Sequence, residues 1–436
     1  MLLSLLQKLK FEKIIFSTDF IYRNIDITLK TSFISNCFVV MIIFLYVLTS
    51  IYSIGYLHFE KDKRRIRFHI LMFVSSLTTI CLAYSDNLFT AFIFYDLLSV
   101  LTYQLVKHHG DEHSERSALS YALYLLLPSM MFLLPAIIYI YTITGHTNFV
   151  VGGILKSIPI SKPFINLLFL MFIYGISKIA LYPLHKWLLY AMVAPSPVSA
   201  LLHAVLVVKG GLFFLYKVIN EIFGLTFLRE NIYTIYGIYW PVYIACISII
   251  FSAISAITSN NIKQRLAYST ISQIGYVSLC LFFFTENSVF AGQLQFLAHS
   301  LAKISLFYYA GYMLVRYHTA NINELKFSRN NISVFWSVLW IIPIISLMSM
   351  PLTFGFISKH AIISGIVNRM VILLVLIVGM IMCILYLFPI LLHVVNCELI
   401  NRRFSIKDQT FYTLCMYIPV LVVACLIVGL FVATYN

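Results

Sequence analysis

The stretch Gly175-Ile-Ser-Lys-Ile-Ala-Leu-Tyr-Pro183 decides how this chain reads, because it sets Lys178 inside an apolar run that begins near residue 163. A lone cation at bilayer depth costs about 2.5–3.5 kcal/mol on insertion scales. The glycine and proline around it interrupt a helix and free backbone carbonyls, which a membrane tolerates where the segment lines a polar cavity. A second stretch, Pro351-Leu-Thr-Phe-Gly-Phe-Ile-Ser-Lys359, repeats Ile-Ser-Lys with a glycine just before it and a proline nearby. Interrupted helices at matching places in two halves point to an internal repeat and a midplane ion site. Their spacing of 181 residues leaves room for a five-helix unit repeated once.

Working outward, the whole chain is written for lipid. It has 436 residues, 61% hydrophobic and 11% charged, where a soluble domain carries about a quarter charged residues. Twelve stretches are long and apolar enough to span a bilayer, at about 20 residues each: 31–57, 67–85, 87–107, 117–143, 163–183, 196–219, 233–258, 266–284, 288–315, 333–365, 369–394 and 411–433. The expected fold is an all-α polytopic bundle over residues 31–436, with repeats over about 67–219 and 233–394. Residues 1–30 carry Lys8, Lys10 and Lys13 after the apolar run, the wrong order for a signal peptide. They read as an amphipathic segment lying in the membrane plane.

The formal charge of +14 does not point to nucleic acid, because of where it sits. Counted over alternate loops, one side holds 16 Lys and Arg, including Lys61, Arg64, Lys263 and Arg265. The other holds four: Lys156, Lys162, Arg229 and Arg369. By the positive-inside rule the first side is cytoplasmic. The eight cysteines show no Cys-x-x-Cys spacing, so they read as buried free thiols rather than metal or cluster ligands. His108, His109 and His113 lie in one loop without a fixed ligand spacing. No G-x-G-x-x-G or G-x-x-x-x-G-K-[ST] is present, so no nucleotide, cofactor or metal site is expected.

The chemistry therefore rests on ionisable groups inside the spans, which usually face a bundle interior and mark an ion path. Asp96, in Phe94-Tyr-Asp-Leu-Leu-Ser-Val100, is the acid of the third span. An opposite charge within about 4–6 Å stabilises a charged lysine and its removal releases the proton, so Asp96 with Lys178 reads as a switchable pair. The plainer readings are an acid facing a small water pocket and a lysine snorkelling to the interface. In Leu201-Leu-His-Ala-Val-Leu-Val-Val-Lys-Gly210, His203 and Lys209 are six residues apart, about 600° around a helix and so on different faces. His299 and Lys303 are i and i+4 and share a face. Two bases stacked this way repel when both are charged, a relay geometry, unless they simply hydrogen-bond to polar neighbours. His185, just after Pro183, reads as a cytoplasmic entry to the path.

Several of these runs resemble a known family. Lys178-Ile-Ala-Leu-Tyr-Pro-Leu-His-Lys-Trp-Leu188, then Ala191-Met-Val-Ala-Pro-Ser-Pro-Val-Ser-Ala-Leu-Leu-His-Ala204 and Lys209-Gly-Gly, are similar to the antiporter-like membrane subunits. This family is shared by Mrp-type sodium/proton antiporters and respiratory complex I, the NADH:quinone oxidoreductase. Asn261-Ile-Lys-Gln-Arg-Leu-Ala-Tyr-Ser-Thr-Ile-Ser-Gln-Ile-Gly-Tyr276 resembles its second signature, with His299 to Lys303 and Pro351 to Lys359 as two more.

The resemblance implies fourteen helices, about two more than this chain shows, in two inverted five-helix repeats with two broken helices. It places Asp96 at the paired glutamate, Lys178 at the pumping lysine, Lys209 at the bridging lysine, His299 and Lys303 at the second relay, and Lys359 at the terminal group. Asp96 is one methylene shorter than the family's glutamate. Within the family the phrasing is closer to the D-type member of the Mrp antiporters than to complex I. The expectation is a subunit of a bacterial inner-membrane antiporter exchanging protons for Na+, working beside other membrane subunits in lipid. The alternatives are a proton-pumping subunit of the oxidoreductase and a structural subunit that has lost transport.

Overall fold

The computed structural model describes residues 14–22, 25–325, 334–366, 369–396 and 411–435. It is mostly helical, as the sequence predicts, with two short antiparallel hairpins besides, Ile14–Tyr22 with Ile25–Lys30 and Thr234–Ile235 with Ile238–Tyr239. Residues 1–13 of the expected in-plane segment lie outside the described residues, and its remainder is the first hairpin.

Eight helices among the described residues are long and apolar enough to cross a membrane: Phe33–Phe59, Arg65–Tyr84, Leu88–Val106, Glu112–Thr144, Ser196–Phe223, Trp240–Thr258, Met370–Val395 and Tyr412–Ala433. Their outward faces stay apolar. Ile66, Ile70, Phe73 and Leu77 are exposed at helical spacing on one helix, and Leu374, Ile377, Ile381 and Leu385 on another. Contiguous exposed apolar faces of this size suit lipid. Ile262–Phe282 and Glu286–Tyr317 are also long helices, but they carry Ser, Thr, Gln and His inward.

The chain divides into two compact units. The first comprises Met1–Tyr46, Ile70–Tyr190 and Val205–Trp240; the second comprises Val47–His69, Ala191–Ala204 and Pro241–Asn436. In the first unit, Leu88–Val106 starts at Asn87, whose side chain accepts from the Thr90 amide at 2.7 Å, satisfying an orphan donor of the first turn. The long helix from Glu112 passes through a π-helical turn at Ser129–Leu133, directly after Pro128. Proline removes a hydrogen bond from the ladder there, and such π turns recur at functional sites. In the second unit, Glu286–Tyr317 is the central post, packing against Ile262–Phe282, Ser196–Ala204, Phe354–Ser364, Val334–Leu347 and Phe411–Tyr435. Thr285 and Ser288 form its capping box.

Three expected spans are broken. The one over 163–183 is a helix, Lys162–Gly175, followed by a single 3-10 turn, Ser177–Ile179. Ala180 then takes a left-handed φ of 51°. The one over 333–365 is two helices, Val334–Leu347 and Phe354–Ser364, joined by a link in which Ser349 and Leu352 have φ of 60° and 67°. The third break was not foreseen. His203 and Lys209 were set on one helix, yet the chain leaves helical geometry at Val205–Leu206, between Ser196–Ala204 and Val207–Lys217. Three β-branched residues in Val205-Leu-Val-Val208 crowd a helix and weaken its preference there.

Candidate functional site

Six lysines are buried among the described residues: Lys178, Lys209, Lys217, Lys263, Lys303 and Lys359. Lysine is almost never buried without a partner, so each needs a physical account.

In the first unit, the 3-10 turn presents Lys178 to Tyr95 and Asp96. The Lys178 amide donates to the Tyr95 hydroxyl at 3.1 Å, and its ammonium donates to the Tyr95 carbonyl while lying 3.3 Å from the Tyr95 ring centroid. Asp96 is buried one residue further on. Its Oδ1 accepts from Ser129 Oγ at 2.8 Å and its Oδ2 has no hydrogen-bond partner. Lys178 is the cation whose charge acts on Asp96. The ammonium thus rests on the Tyr95 carbonyl and ring while its charge acts on the neighbouring carboxylate.

Two glycines permit this approach. A Cβ on Gly175 would lie 2.6 Å from the Leu133 backbone nitrogen in the π turn. A Cβ on Gly211 would lie 2.7 Å from the Lys178 Cβ, so the helix carrying Lys209 can rest against the broken turn. Trp187 donates to the Ser177 carbonyl at 3.0 Å and packs edge-on against Tyr121, pinning the turn. His185 is buried and stacks on Tyr182 with ring centroids 5.7 Å apart.

The second unit gathers His203, His299, Lys303 and Lys359. His203 is fully buried with neither ring nitrogen hydrogen-bonded, and its ring lies 4.8 Å from that of Phe307. The cations acting on it are Lys303 and Lys263. Lys303 donates to Ser269 Oγ at 2.5 Å, one turn from the buried His299. Lys359 follows the second break, has no hydrogen-bond partner, and lies 2.8 Å from the Tyr276 ring centroid. An aromatic face partly compensates a desolvated cation through its quadrupole.

Two of the cations counted in loops are buried instead. Lys263 and Arg265, expected in a cytoplasmic loop, are buried in the first turn of Ile262–Phe282. Lys263 donates to the Ala194 carbonyl at 2.6 Å, and Arg265 to the carbonyls of Ser259, Tyr386 and Ile257. Lys217, near the end of Val207–Lys217, is likewise buried and donates to the Ser85 carbonyl at 2.5 Å. Helix ends leave carbonyls without partners, and a long cationic side chain reaches back to satisfy them. A charge count alone cannot tell such a residue from a solvated one.

Comparison with known proteins follows the same pattern. A sequence model of the NADH:quinone oxidoreductase/Mrp antiporter transmembrane family matches residues 85–385. NADH-quinone oxidoreductase subunit M of Rickettsia typhi is 29% identical over 341 residues, covering 77% of this chain and 67% of that protein. A Staphylococcus haemolyticus protein named as antiporter subunit mnhA2 is 29% identical over 335 residues, covering 73% of this chain but 40% of its own length. Among solved structures, the archaeal membrane-bound sulfane sulfur reductase complex aligns with a TM-score of 0.81 at 20% identity, over 97% of this chain and 84% of that one. The Mrp complex of Dietzia sp. DQ12-45-1b aligns with a TM-score of 0.76 at 18% identity, over 98% and 46%. At these identities the structures speak to the fold. The chain spans about two thirds of the oxidoreductase relative and less than half of the antiporter relative.

Proposed function

The chain belongs to the NADH:quinone oxidoreductase/Mrp antiporter family, and from that premise we propose that it moves protons through the membrane in exchange for Na+. It does so as one membrane subunit of a multi-subunit Mrp-type assembly in a bacterial inner membrane, with twelve crossings arranged as two inverted five-helix repeats. The observation that carries this reading is the series of buried bases, several of them held by weak partners. Lys178 rests on a carbonyl, Lys303 on a hydroxyl, Lys359 on an aromatic face, and His203 on nothing that hydrogen-bonds. A strongly paired ion would hold its proton; a weakly held one in low dielectric can exchange it.

In the proposed cycle a proton enters from the cytoplasm past His185 and loads Lys178, with Asp96 setting how tightly it is held. Lys209 and His203, six residues apart along the chain, carry it onward to His299 and Lys303. Release follows at Lys359.

A second reading, a proton-pumping subunit of an NADH:quinone oxidoreductase, is favoured by the fuller length match to subunit M. The two are separated in membrane vesicles holding the assembled complex. A sodium gradient that drives proton movement without NADH supports the first reading. Movement that requires NADH oxidation and ignores sodium supports the second. A complex that moves protons under neither drive sinks both and leaves a structural subunit.

A further inference from the structure

In the second unit, no carboxylate acts on Lys303 or Lys359 among the described residues; the ionisable group whose charge acts on both is the thiol of Cys383. It is buried on Met370–Asn396, donates to the Leu347 carbonyl at 3.3 Å and accepts from Gln273 Nε2 at 3.5 Å. The surroundings are continuous in both directions. Toward Lys303 lies Ser269, already hydrogen-bonded to that ammonium, and the Tyr386 hydroxyl, which is fully buried and faces Ser269, Gln273 and Cys383. Toward Lys359, Gln273 accepts from Gln295 at 2.8 Å, and Gln295 accepts from Ser358 at 2.8 Å, next to Lys359. Lys359 itself has no hydrogen-bond partner.

We propose that Cys383 is the proton-exchanging residue between Lys303 and Lys359, the second unit's acid where the first has Asp96. The proposal rests on the transport reading above. Two side chains of this network are amides, which orient neighbours but store no proton, and the serine hydroxyls ionise far above physiological pH. Of the network's neutral side chains the thiol has the lowest ordinary pKa, about 8.5 against about 10 for the Tyr386 phenol. The Cys383 thiolate takes a proton from the Lys303 ammonium: an N–H bond breaks, an S–H bond forms, and a neutral amine and a neutral thiol remain. The S–H bond then breaks as the proton passes to the neutral amine of Lys359, which becomes an ammonium, and the thiolate returns. No electron changes hands.

The test is proton flux in vesicles holding the assembled complex, with assembly quantified for each variant. Cys383→Ala and Cys383→Ser should both lower flux by at least about 100-fold, the usual size of a lost acid–base group. Cys383→Asp should keep measurable flux with its pH profile moved to the acid side. Wild-type flux in Cys383→Ser would overturn the proposal, because serine preserves the hydrogen bonds but not the acid. Lys303→Ala is run in parallel. If it is inactive while the Cys383 variants are normal, this proposal alone falls; if it too is normal, the transport reading falls with it. Should the variants not assemble, infrared spectroscopy on a complex whose subunit keeps Cys383 as its sole cysteine replaces them. An S–H stretching band that changes with pH supports the proposal, and one that stays constant overturns it.

Discussion

The two units meet one problem, cations held inside a membrane, in different ways. The first sets a carboxylate beside its lysine: Asp96 is anchored by Ser129, and Lys178 rests on the carbonyl of Tyr95. The second sets its lysines among neutral groups, a serine hydroxyl for Lys303 and the Tyr276 ring for Lys359. The first can trap a charge and release it when the carboxylate's partner changes. The second holds a charge less firmly, because among the described residues a hydroxyl, a ring face and a thiol stand there in place of a carboxylate. In the proposed cycle, a trap followed by a weakly holding run is the order that transfer in one direction needs.

Several substitutions break or sharpen that contrast. The largest effect is expected at Lys359→Met, which removes the last exchanging base. Proton flux should fall by at least about 100-fold, while the melting temperature of the assembled complex stays level or rises, since apolar replacement of a buried ion is often neutral or stabilising. A melting temperature that drops sharply would mean Lys359 is a structural cation, and the contrast between the units would fail. Asp96→Asn should lower flux about 100-fold, whereas Asp96→Glu, whose extra methylene carries the carboxylate toward Lys178, should keep it at or above the wild-type level. Equal flux in Asp96→Asn and wild type would remove the trap from the first unit.

Smaller effects follow from packing. Gly175→Ala forces a Cβ against the Leu133 backbone and should destabilise the first unit by about 1–3 kcal/mol, seen as a lowered melting temperature. The smallest effect on flux is expected at Ser269→Ala. Lys303 loses its hydroxyl partner, a hydrogen bond to a charged group worth about 1.5–3 kcal/mol. Flux should change by less than in any of the lysine variants, and a complete loss would promote Ser269 from support to carrier.

Much of this was legible in the sequence where chemistry and composition conflict. Lys178 and Lys359 stood out because Gly, Ser and Pro surround them in apolar text, and the chain is broken beside both. Asp96 stood out as an acid inside a span. Tyr95 did not, because its role comes from a backbone carbonyl and a ring face that no residue pattern announces. Lys263 and Arg265 were misplaced for a related reason. They sit at the start of a helix, where the sequence shows a charged loop and the fold turns them inward onto carbonyls. Cys383 was legible as a buried thiol, but its neighbours come from four other helices and a single apolar run gives no hint of them. The break between His203 and Lys209 lay in a valine-rich run that reads equally well as continuous helix.

The most direct test of the central claim, that one proton series runs through both units, is proton flux in vesicles holding the assembled complex with either Lys178→Ala or Lys303→Ala. The account predicts that each variant alone, one in each unit, brings flux down to that of vesicles lacking the complex. Wild-type flux in either variant, with the complex assembled, would contradict it.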